Sequence, residues 1–420
     1  MSLNSPEQPV GSSLLVIADD LSGAAECAAV LPGCRRILLD PAEQVVPGET
    51  QVIDLDSRRR TRAGAARLVA QAVRRHAPTG ARLLKKADSL LRGHLSAETR
   101  EFTTGASGLV VAPAVPAAGR TVRDGVVRLD GVPLHHTDAW RAEPGPAPRS
   151  VTEALGGAAT TVLALDRVRA GATHLDRCLR SALARATTVV CDAETDADLD
   201  AVAAAVLRLP HTVRLAGAGG LAAALGRLSG PAASRTDLGR APAAPRPVVV
   251  VVGTAHPGAL AQIAHLTRHG ARHTALSAES LLGPGDDARP TATVRAALRA
   301  APVSVLSIAA TRAGDPTAAP HLARALARSV AAVLPEQADL VLTGGETARR
   351  VLDELAVTRL LPVAQVHHGA VHCRTDDGRG VVTRPGGFGG PDSLLRMVGA
   401  LRTAPGRAPQ EPYASDGGPR

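Results

Sequence analysis

Aromatic residues are almost absent from this 420-residue chain: Trp140, Tyr413, Phe102 and Phe388 are the whole supply, 1% of the sequence. The hydrophobic content of 45% is ordinary, so Ala, Val and Leu must fill the core. Proteins that bind single-stranded nucleic acid stack its bases on aromatic side chains. The scarcity of aromatics therefore argues against that class of protein, and we expect no nucleic-acid partner.

The excess of basic residues can be explained without a nucleic-acid partner. Lys and Arg number 48 against 39 acidic residues, which gives a net charge of +9. The arginines are spread along the chain, and the one dense basic run is 58–62. Clefts lined by charge of one sign concentrate small ions of the opposite sign. The charge therefore favours a small anionic ligand, and a nucleic-acid binder would reveal itself by a steep salt dependence of its affinity.

Several familiar signatures are missing. The five cysteines have an odd count and no Cys-x-x-Cys spacing, which predicts reduced thiols in a cytoplasmic protein. No basic stretch followed by an apolar core opens the chain, and no apolar run approaches about 18 residues, so we expect neither a secretory signal nor a membrane span. The chain also lacks the Walker GxxxxGK[ST] motif and a GxGxxG turn after a strand.

Short apolar runs alternate with helical stretches rich in Ala, Leu and Arg. This alternation predicts an α/β fold, with two α/β domains, mainly parallel sheets and a ligand cleft between the domains. A segment rich in Pro and Ala separates the two series of runs and reads as a linker. We expect a flexible N-terminus at 1–12, a first domain at 13–230, the linker at 231–247, a second domain at 248–403 and a disordered tail at 404–420.

Only two of the 48 basic residues are lysines, and they are neighbours, Lys85 and Lys86. A lysine ammonium is a compact point charge that follows one oxygen atom, which a planar guanidinium cannot do. The surrounding run, 84–94, also contains Asp, Ser, Arg and Gly. We interpret this run as part of a site, the alternative being a solvated charged turn.

Charged side chains of the first domain lie at the expected strand ends or in the loops that follow. In open α/β sheets the ligand binds outside the carboxyl ends of the strands. Arg and Lys that converge with Asp suit a small hydroxylated acid, because guanidinium groups bind the carboxylate and Asp binds hydroxyl groups. For any single member the alternative is a surface ion pair. The set is Asp19, Asp20, Asp56, Arg58, Lys85, Lys86, Asp88, Arg92 and Arg120.

The second domain has glycine turns where the first has charges. They follow expected strands at Gly253-Thr254, at 344–348 and at 386–390. Such turns bring backbone N–H groups close to an anion, and a following helix adds its dipole. Each turn alone is commonly structural, but three in one domain predict a phosphate site.

Six motifs, taken in order, resemble the four-carbon acid sugar kinase family, whose members phosphorylate threonate, erythronate or 3-oxo-tetronate with ATP. The match runs from about residue 13 to 402. The motifs are IADDLSGA at 17–24, DSR at 56–58, KKADSLLRG at 85–93, APAVPAAGRT at 112–121, TGGETA at 343–348 and GGFG at 386–389.

The resemblance implies that the N-terminal domain holds the sugar acid and the C-terminal domain holds ATP, with Mg²⁺ bridging phosphate oxygens. Lys86 and Arg92 would neutralise developing charge, Arg58 or Arg120 would clamp the carboxylate, and Asp20 or Asp88 would be the base. Metal ligands stay unassigned, and a homodimer stays open. The implied catalytic residues are Asp20, Lys86, Asp88 and Arg92; those of the substrate site are Asp19, Asp20, Arg58, Lys86, Asp88, Ser89, Arg92, Gly119 and Arg120; those of the nucleotide site are Gly253, Thr254, His256, Gly344, Gly345, Glu346, Thr347, Gly369, Gly386 and Gly387.

The chain departs from the family pattern at a few positions. His94 replaces an Asn and could alter substrate preference, and Arg384 replaces a Lys and could re-aim a phosphate contact. Glu346 and Thr254 are expected to be functional equivalents, and an Asp-Pro element appears as Glu143-Pro144. The alternatives are a kinase for another hydroxy acid, an ATP-grasp-like ligase, or a binding protein that has lost catalysis.

The histidine pairs His135-His136 and His367-His368, with His372 nearby, suggest a metal site at first sight. Adjacent residues of a strand point to opposite faces of the sheet, so neither pair makes a good bidentate site. We interpret them as loop histidines without a metal.

Overall fold

The computed structural model describes residues 13–141, 143, 145–157, 159–230, 246–253, 257–283, 288–309 and 318–402. Three predicted segments lie outside the described residues: the N-terminus at 1–12, most of the linker (231–245) and the tail at 404–420. Thr254, His256 and Pro144 lie outside them too.

Strands and helices alternate along most of the described chain. The strands are β1 (Leu14–Ala18), β2 (Ile37–Leu38), β3 (Gln51–Asp54), β4 (Arg82–Lys86), β5 (Gly108–Ala112), β6 (Arg120–Arg123), β7 (Val126–Leu129), β8 (Val132–Pro133), β9 (Thr160–Leu163), β10 (Thr188–Cys191), β11 (Val213–Gly217), β12 (Val248–Val252), β13 (Arg272–Leu276), β14 (Val303–Ile308), β15 (Asp339–Thr343), β16 (Arg359–His367), β17 (Ala370–Arg374) and β18 (Gly380–Arg384). The α-helices are α1 (Leu21–Val30), α2 (Arg62–His76), α3 (Leu95–Phe102), α4 (Val151–Ala154), α5 (Leu165–Val168), α6 (Ala172–Arg185), α7 (Asp196–Leu207), α8 (Gly219–Leu228), α9 (Pro257–Arg268), α10 (Ala278–Leu282), α11 (Ala288–Ala300), α12 (Ala319–Ala331), α13 (Gly345–Glu354) and α14 (Ser393–Arg402). Short 3₁₀ turns cover Ala77–Thr79, Pro116–Ala118, Leu134–His136 and Asp138–Trp140.

The N-terminal half is built on eight parallel strands in the order β2-β3-β1-β4-β11-β5-β10-β9. Strands β1 and β5 are apolar and buried along their whole length, as expected where helices cover both faces of a parallel sheet. A separate three-stranded sheet, β6-β7-β8, is inserted after β5. The parallel arrangement confirms the predicted fold class.

The C-terminal half has five parallel strands, β13-β14-β12-β15-β18, followed by the antiparallel strands β17 and β16. Strand β16 also pairs with β2 of the N-terminal half, Arg359 with Leu38 and Leu360 with Ile37. The two halves therefore share one fifteen-stranded sheet. Backbone hydrogen bonds thus hold the halves together.

Helix α13 adds a second connection between the halves. Arg349 donates to the carboxylate of Asp54 (2.8 Å) and to the carbonyl oxygen of Leu39 (2.6 Å), and Arg350 pairs with Asp56. Asp54 is fully buried, so this contact is internal. The helix that starts at a predicted phosphate turn is therefore fixed to the N-terminal half by its arginine side chains. Among the helices that the structure describes, none combines the length and apolarity needed to cross a membrane.

Candidate active site

A cleft of about 530 Å³, partly open to solvent, lies where the two halves meet. Residues of both halves line it, as predicted for a ligand cleft between two domains. The lining residues are Asp20, Ser22, Gly23, Glu26, Arg58, Lys86, Asp88, Ser89, Arg92, Val115, Ala118, Arg120, His368, Gly369, Pro385 and Phe388.

Arg58 ties the two aspartates after β1 into one cluster. Its guanidinium donates to Asp19 at 2.8 and 3.0 Å and to Asp20 at 2.9 and 3.1 Å. Burial favours a higher pKa for both carboxyl groups, but Arg58 and the lysines outweigh it at Asp19, whose pKa is lowered. At Asp20 burial prevails, the charge of Asp19 adds to it, and the pKa is raised. The two neighbouring carboxyl groups therefore differ in basicity.

The two lysines, which the sequence places together, have different positions. Lys86 lines the cleft, and its Nζ lies 3.2 Å from Oε2 of Glu26 on α1. Burial alone would lower the pKa of Lys86, but Glu26 raises it, so the amine stays charged. Lys85 points away from the cleft to Glu98, at 2.9 Å, and Glu98 also accepts from the hydroxyl of Ser57. Lys85 therefore supports the segment that carries Arg58 and is not part of the converging set that the sequence predicts.

The loop after β4 presents a second ion pair to the cleft. Arg92 donates to both oxygens of Asp88, at 2.7 and 2.8 Å, and Arg58 lies 3.8 Å from the same carboxylate. Burial would raise the pKa of Asp88, but Arg58 and Arg92 hold it far below its usual range. Asp88 is therefore a fixed negative charge that orients two arginines.

Arg120 is the cation of the cleft without a carboxylate partner among the described residues. Its guanidinium donates to the hydroxyl of Ser89 and lies 5.5 Å from the ring centre of Phe388, while its Nε is buried without a partner. Gly119, with φ of +65°, makes the turn that presents Arg120, and a Cβ there would overlap Asp130. Gly119 thus shapes the site without lining it.

The phosphate turn predicted at 344–348 lies directly against the cluster of aspartates. A Cβ on Gly345 would lie 3.0 Å from Oδ2 of Asp20 and 2.9 Å from the Ser22 hydroxyl, so only glycine allows this approach. Gly344 has φ of +86° and precedes α13, whose first turn carries Glu346 and Thr347. At the end of β12, Gly253 touches Thr347, because a Cβ there would overlap its Oγ1. These glycines bring the start of α13 to the carboxylate of Asp20.

The glycine loop at 386–390 is held by hydrogen bonds from the side chains of Gln262 and Arg384. Gln262 of α9 donates to the carbonyl oxygens of Phe388, Gly389 and Gly390 at 3.0 to 3.2 Å. Arg384 is buried and donates to the Phe388 carbonyl and to the Gln262 side chain. The residue that departs from the family pattern here therefore supports the loop, and the structure shows it engaged with backbone oxygens.

Other predicted residues lie elsewhere. His94 does not line the cleft, and its Nε2 lies 2.6 Å from the carbonyl oxygen of Arg60. Gly369, expected at the nucleotide, lines the cleft on the side of Arg120, and a Cβ there would meet Phe388 at 2.9 Å. Asp56 pairs with Arg350 and has φ of +47°.

The structure adds residues that sequence reasoning missed, chiefly Glu26, Trp140 and the side chain of Phe388. Gly23 and Glu26 are three residues apart on α1, which places them on one face of the helix, and Asp20 caps its start, so this signal was available. Trp140 donates from its Nε1 to the carbonyl oxygen of Leu90 at 2.7 Å and so steadies the loop of Asp88 and Arg92. No local pattern links Trp140 to that loop, which lies fifty residues earlier.

Two family models match successive parts of the chain. A family model described as a sugar-binding N-terminal domain matches residues 14–225, and one described as a nucleotide-binding C-terminal domain matches residues 249–394. A D-threonate kinase of Cupriavidus necator is 35% identical over 94% of this chain and 99% of its own length. A D-threonate kinase of Bordetella bronchiseptica is 33% identical over 93% and 98%.

A solved structure of a Salmonella typhimurium protein has the same fold, with a TM-score of 0.76, 20% identity, and coverage of 91% of this chain and 98% of that one. The two domain models and the near full-length identity to curated kinases show the family. The chain therefore belongs to the four-carbon acid sugar kinases, which act as phosphotransferases.

Proposed function

We propose that this enzyme transfers the γ-phosphoryl group of ATP to the terminal hydroxyl of a four-carbon sugar acid, with D-threonate as the first candidate. The observation that carries the proposal is the contact of Gly345 with Asp20, where a glycine turn before a helix meets a carboxylate cluster. A helix N-terminus suits phosphate, and the aspartates and arginines suit a hydroxylated acid. The curated relatives that match most of the chain are D-threonate kinases, which supports this acid. We propose a cytoplasmic location, where reduced thiols and ATP coexist.

Arg120 is our choice for the clamp of the substrate carboxylate. Arg58, the other candidate, already makes four hydrogen bonds to Asp19 and Asp20. Arg120 has no carboxylate within ion-pair distance in the described part of the chain, and desolvation lowers its pKa, so its charge lacks compensation. A half-buried cation without an anionic partner gains most from an incoming anion. The Ser89 hydroxyl beside it would orient the same group.

Asp20 is our choice for the base that accepts the hydroxyl proton. Its pKa is raised, first by burial and then by the charge of Asp19, whereas the pKa of Asp88 is far below the usual range. A base works best when its pKa approaches the working pH. Asp20 also lies beside the turn at Gly345, where the phosphate is expected. Asp88 then orients Arg92 and Arg58 as a permanent anion.

Lys86 and Arg92 would neutralise the charge that moves between nucleotide and acid. Phosphoryl transfer depends mostly on positioning and on charge stabilisation. Lys86 lies beside Gly23 at the start of α1, since a Cβ on that glycine would come within 3.0 Å of its Nζ. Glu26 holds the ammonium in place and keeps it charged.

Mg²⁺ fits this arrangement through phosphate rather than through a protein cage. No group of three His, Cys, Asp or Glu side chains could hold a metal among the described residues. Mg²⁺ at phosphate sites commonly uses one or two carboxylates, several waters and phosphate oxygens. Glu346, the acidic residue in the first turn of α13, would supply such a carboxylate. When bound, the ion would offset the charge of the phosphates.

The test is a coupled assay of ADP release with ATP and Mg²⁺ against stereoisomers of threonate, erythronate and 3-oxo-tetronate. We expect ADP release that depends on one acid, D-threonate first. ATP binding without turnover on any acid of the panel would move the proposal to another hydroxy acid. Absence of ATP binding, measured by calorimetry, would refute the kinase.

A further inference from the structure

The glycine loop at 386–390, which we assign to the nucleotide, also sends a side chain into the sugar-acid cleft. Phe388 lines the cleft, its ring centre lies 5.5 Å from the guanidinium of Arg120, and it stacks on His368 at 6.0 Å between ring centres. Its own backbone oxygen is bonded from the other side by Gln262 and Arg384. Phe388 is thus part of the loop through its backbone and contacts Arg120, the candidate carboxylate clamp, through its ring.

The composition of the chain points to a specific role for this aromatic contact. Four aromatic residues occur in 420, and three of them are among the described residues. Phe102 packs in the core, Trp140 bonds the loop of Asp88 and Arg92, and Phe388 lines the cleft. Apolar bulk elsewhere in the described core comes almost entirely from Ala, Val, Leu and Ile. The ring of Phe388 offers a property that these aliphatic side chains lack, its negative face toward a cation.

The cation that it faces is the one that needs support. Arg120 has no carboxylate partner in the described part of the chain, and its Nε is buried without a hydrogen bond. A ring face attracts a guanidinium without neutralising it, so Arg120 can be held in place and still bind an anion. A carboxylate in the position of the ring would instead compete with the substrate.

We propose that Phe388 is a positioning residue that holds Arg120 for the substrate carboxylate and couples the sugar-acid site to the nucleotide loop. This inference rests on the proposed function. Because loop and clamp share one residue, nucleotide on the loop and acid on Arg120 favour the same position of Phe388. Each ligand then raises the affinity for the other by the same factor, since such coupling is reciprocal.

Trp140 gives a direct readout of the acid site. It is the one tryptophan of the chain, and its Nε1 bonds the loop that carries Asp88 and Arg92. Its fluorescence can be titrated with D-threonate, alone and in the presence of an ATP analogue whose γ-phosphate cannot be transferred. The ratio of the two dissociation constants is the coupling factor.

The decisive variants are Phe388→Leu and Phe388→Tyr, because leucine keeps apolar bulk and tyrosine keeps the ring face. For F388L we expect the KM for the acid to rise about three- to thirtyfold, the range of a cation–π contact, with kcat changed by less than about threefold. The coupling factor should fall toward one, while the affinity for the analogue alone stays unchanged because the backbone bonds of the loop persist. F388Y should keep both properties.

Phe102→Leu is the matched control. The guanidinium of Arg214 lies 5.5 Å from the ring centre of Phe102, the same distance as in the Arg120 pair, but this contact is in the core of the N-terminal half. F102L should lower the melting temperature and leave the KM for the acid and the coupling factor unchanged.

An unchanged acid KM and coupling factor in F388L would overturn the inference. So would a fall in affinity for the analogue alone that matches the rise in acid KM, because Phe388 would then merely hold the loop. Failure of the proposed function looks different: the wild-type protein itself would release no ADP with any acid and show no change in Trp140 fluorescence, and the inference would fall with it.

Discussion

The two halves of this enzyme share one sheet but build their parts of the cleft from different materials. The N-terminal half uses side-chain charges that hold each other, as in the Asp19, Asp20 and Arg58 cluster. The C-terminal half uses backbone, with glycines at Gly344 and Gly345 and carbonyl oxygens bonded by Gln262. A sugar acid offers hydroxyl and carboxylate groups that charged side chains can tell apart, whereas a phosphate offers equivalent oxygens that backbone N–H groups can hold.

This difference sets what each half tolerates. A charged cluster fails when one member is lost, because its buried partner is then uncompensated. A glycine turn fails when it gains an atom, because the approach of the backbone is blocked. The predictions therefore remove charge in the first half and add a methyl group in the second.

Loss of the Lys86 ammonium should have the largest effect. Lys86→Met removes a charge from between the two halves, and we expect kcat to fall by about 10³-fold or more, as for other cations that stabilise a transferring phosphoryl group. Lys86→Arg should also stay far below the wild type, because the space beside Gly23 and Glu26 fits an ammonium. Steady-state kinetics with folding checked by circular dichroism measures both. Wild-type turnover in K86R would contradict the reason that we give for the surviving lysine.

The neighbouring lysine should separate stability from turnover. Lys85→Met leaves Glu98 buried with only Ser57 as a polar partner, and removal of one member of a buried pair costs about 3–5 kcal/mol in the free energy of unfolding. Urea denaturation measures this loss. The double variant Lys85→Met/Glu98→Leu should recover part of it, because the uncompensated charge is gone. An unfolding free energy of K85M equal to that of the wild type would show that this pair does not support the site.

The second half can be broken by one methyl group. Gly345→Ala places a Cβ within 3.0 Å of both Asp20 and the Ser22 hydroxyl, so either these two side chains or the start of α13 must shift. A displacement of this kind at a reacting centre costs about 10²-fold in kcat. The control is Gly399→Ala on α14, where a Cβ meets nothing within 4 Å and activity should not change. Equal activity in both variants would mean that the turn does not need its close approach to Asp20.

The sequence predicts the local features of this molecule but not the contacts between its two halves. The parallel α/β halves and the charged strand ends are local patterns, so β1 with its two aspartates and the loop of Asp88 could be predicted. The pairing of β16 with β2 and the contact of Arg349 with Asp54 join segments about three hundred residues apart, which no local pattern encodes. The different positions of Lys85 and Lys86 follow from the alternation of a strand and were available in principle.

The contact between Asp54 and Arg349, which joins the two halves, should make the free energy of unfolding depend on pH. Burial raises the pKa of Asp54 to about 7, against the opposing effect of Arg349. Between about pH 4 and 7, Asp54 is therefore protonated in the native state but ionised in the unfolded chain. This group makes the free energy of unfolding fall as pH rises through that window. Asp54→Asn removes the group, and its unfolding free energy relative to the wild type should rise by up to about 1.4 kcal/mol per pH unit over that range. Denaturation at a series of pH values measures the difference.

Asp198→Asn is the control with the opposite sign. Burial would raise the pKa of Asp198, but Arg169 and backbone donors lower it, so its stabilisation is present above about pH 4 and lost on acidification. The D198N difference should therefore fall as pH rises to about 4 and stay level between 4 and 7. If the unfolding free energy of D54N relative to the wild type does not change with pH across the same window, Asp54 holds no proton in the native state there.

The smallest effect is expected where the family pattern and the geometry disagree. His94 departs from the family, which pointed to altered substrate preference, but its ring contacts the carbonyl oxygen of Arg60 and does not line the cleft. His94→Asn should therefore change the KM for each four-carbon acid by less than about twofold, since it removes no group that an acid in the cleft can reach. Kinetics across the stereoisomer panel measures this. A reversal of preference between threonate and erythronate in H94N would show that the segment after β4 selects the acid from outside the cleft, and charged side chains would then not be the sole source of specificity in the N-terminal half.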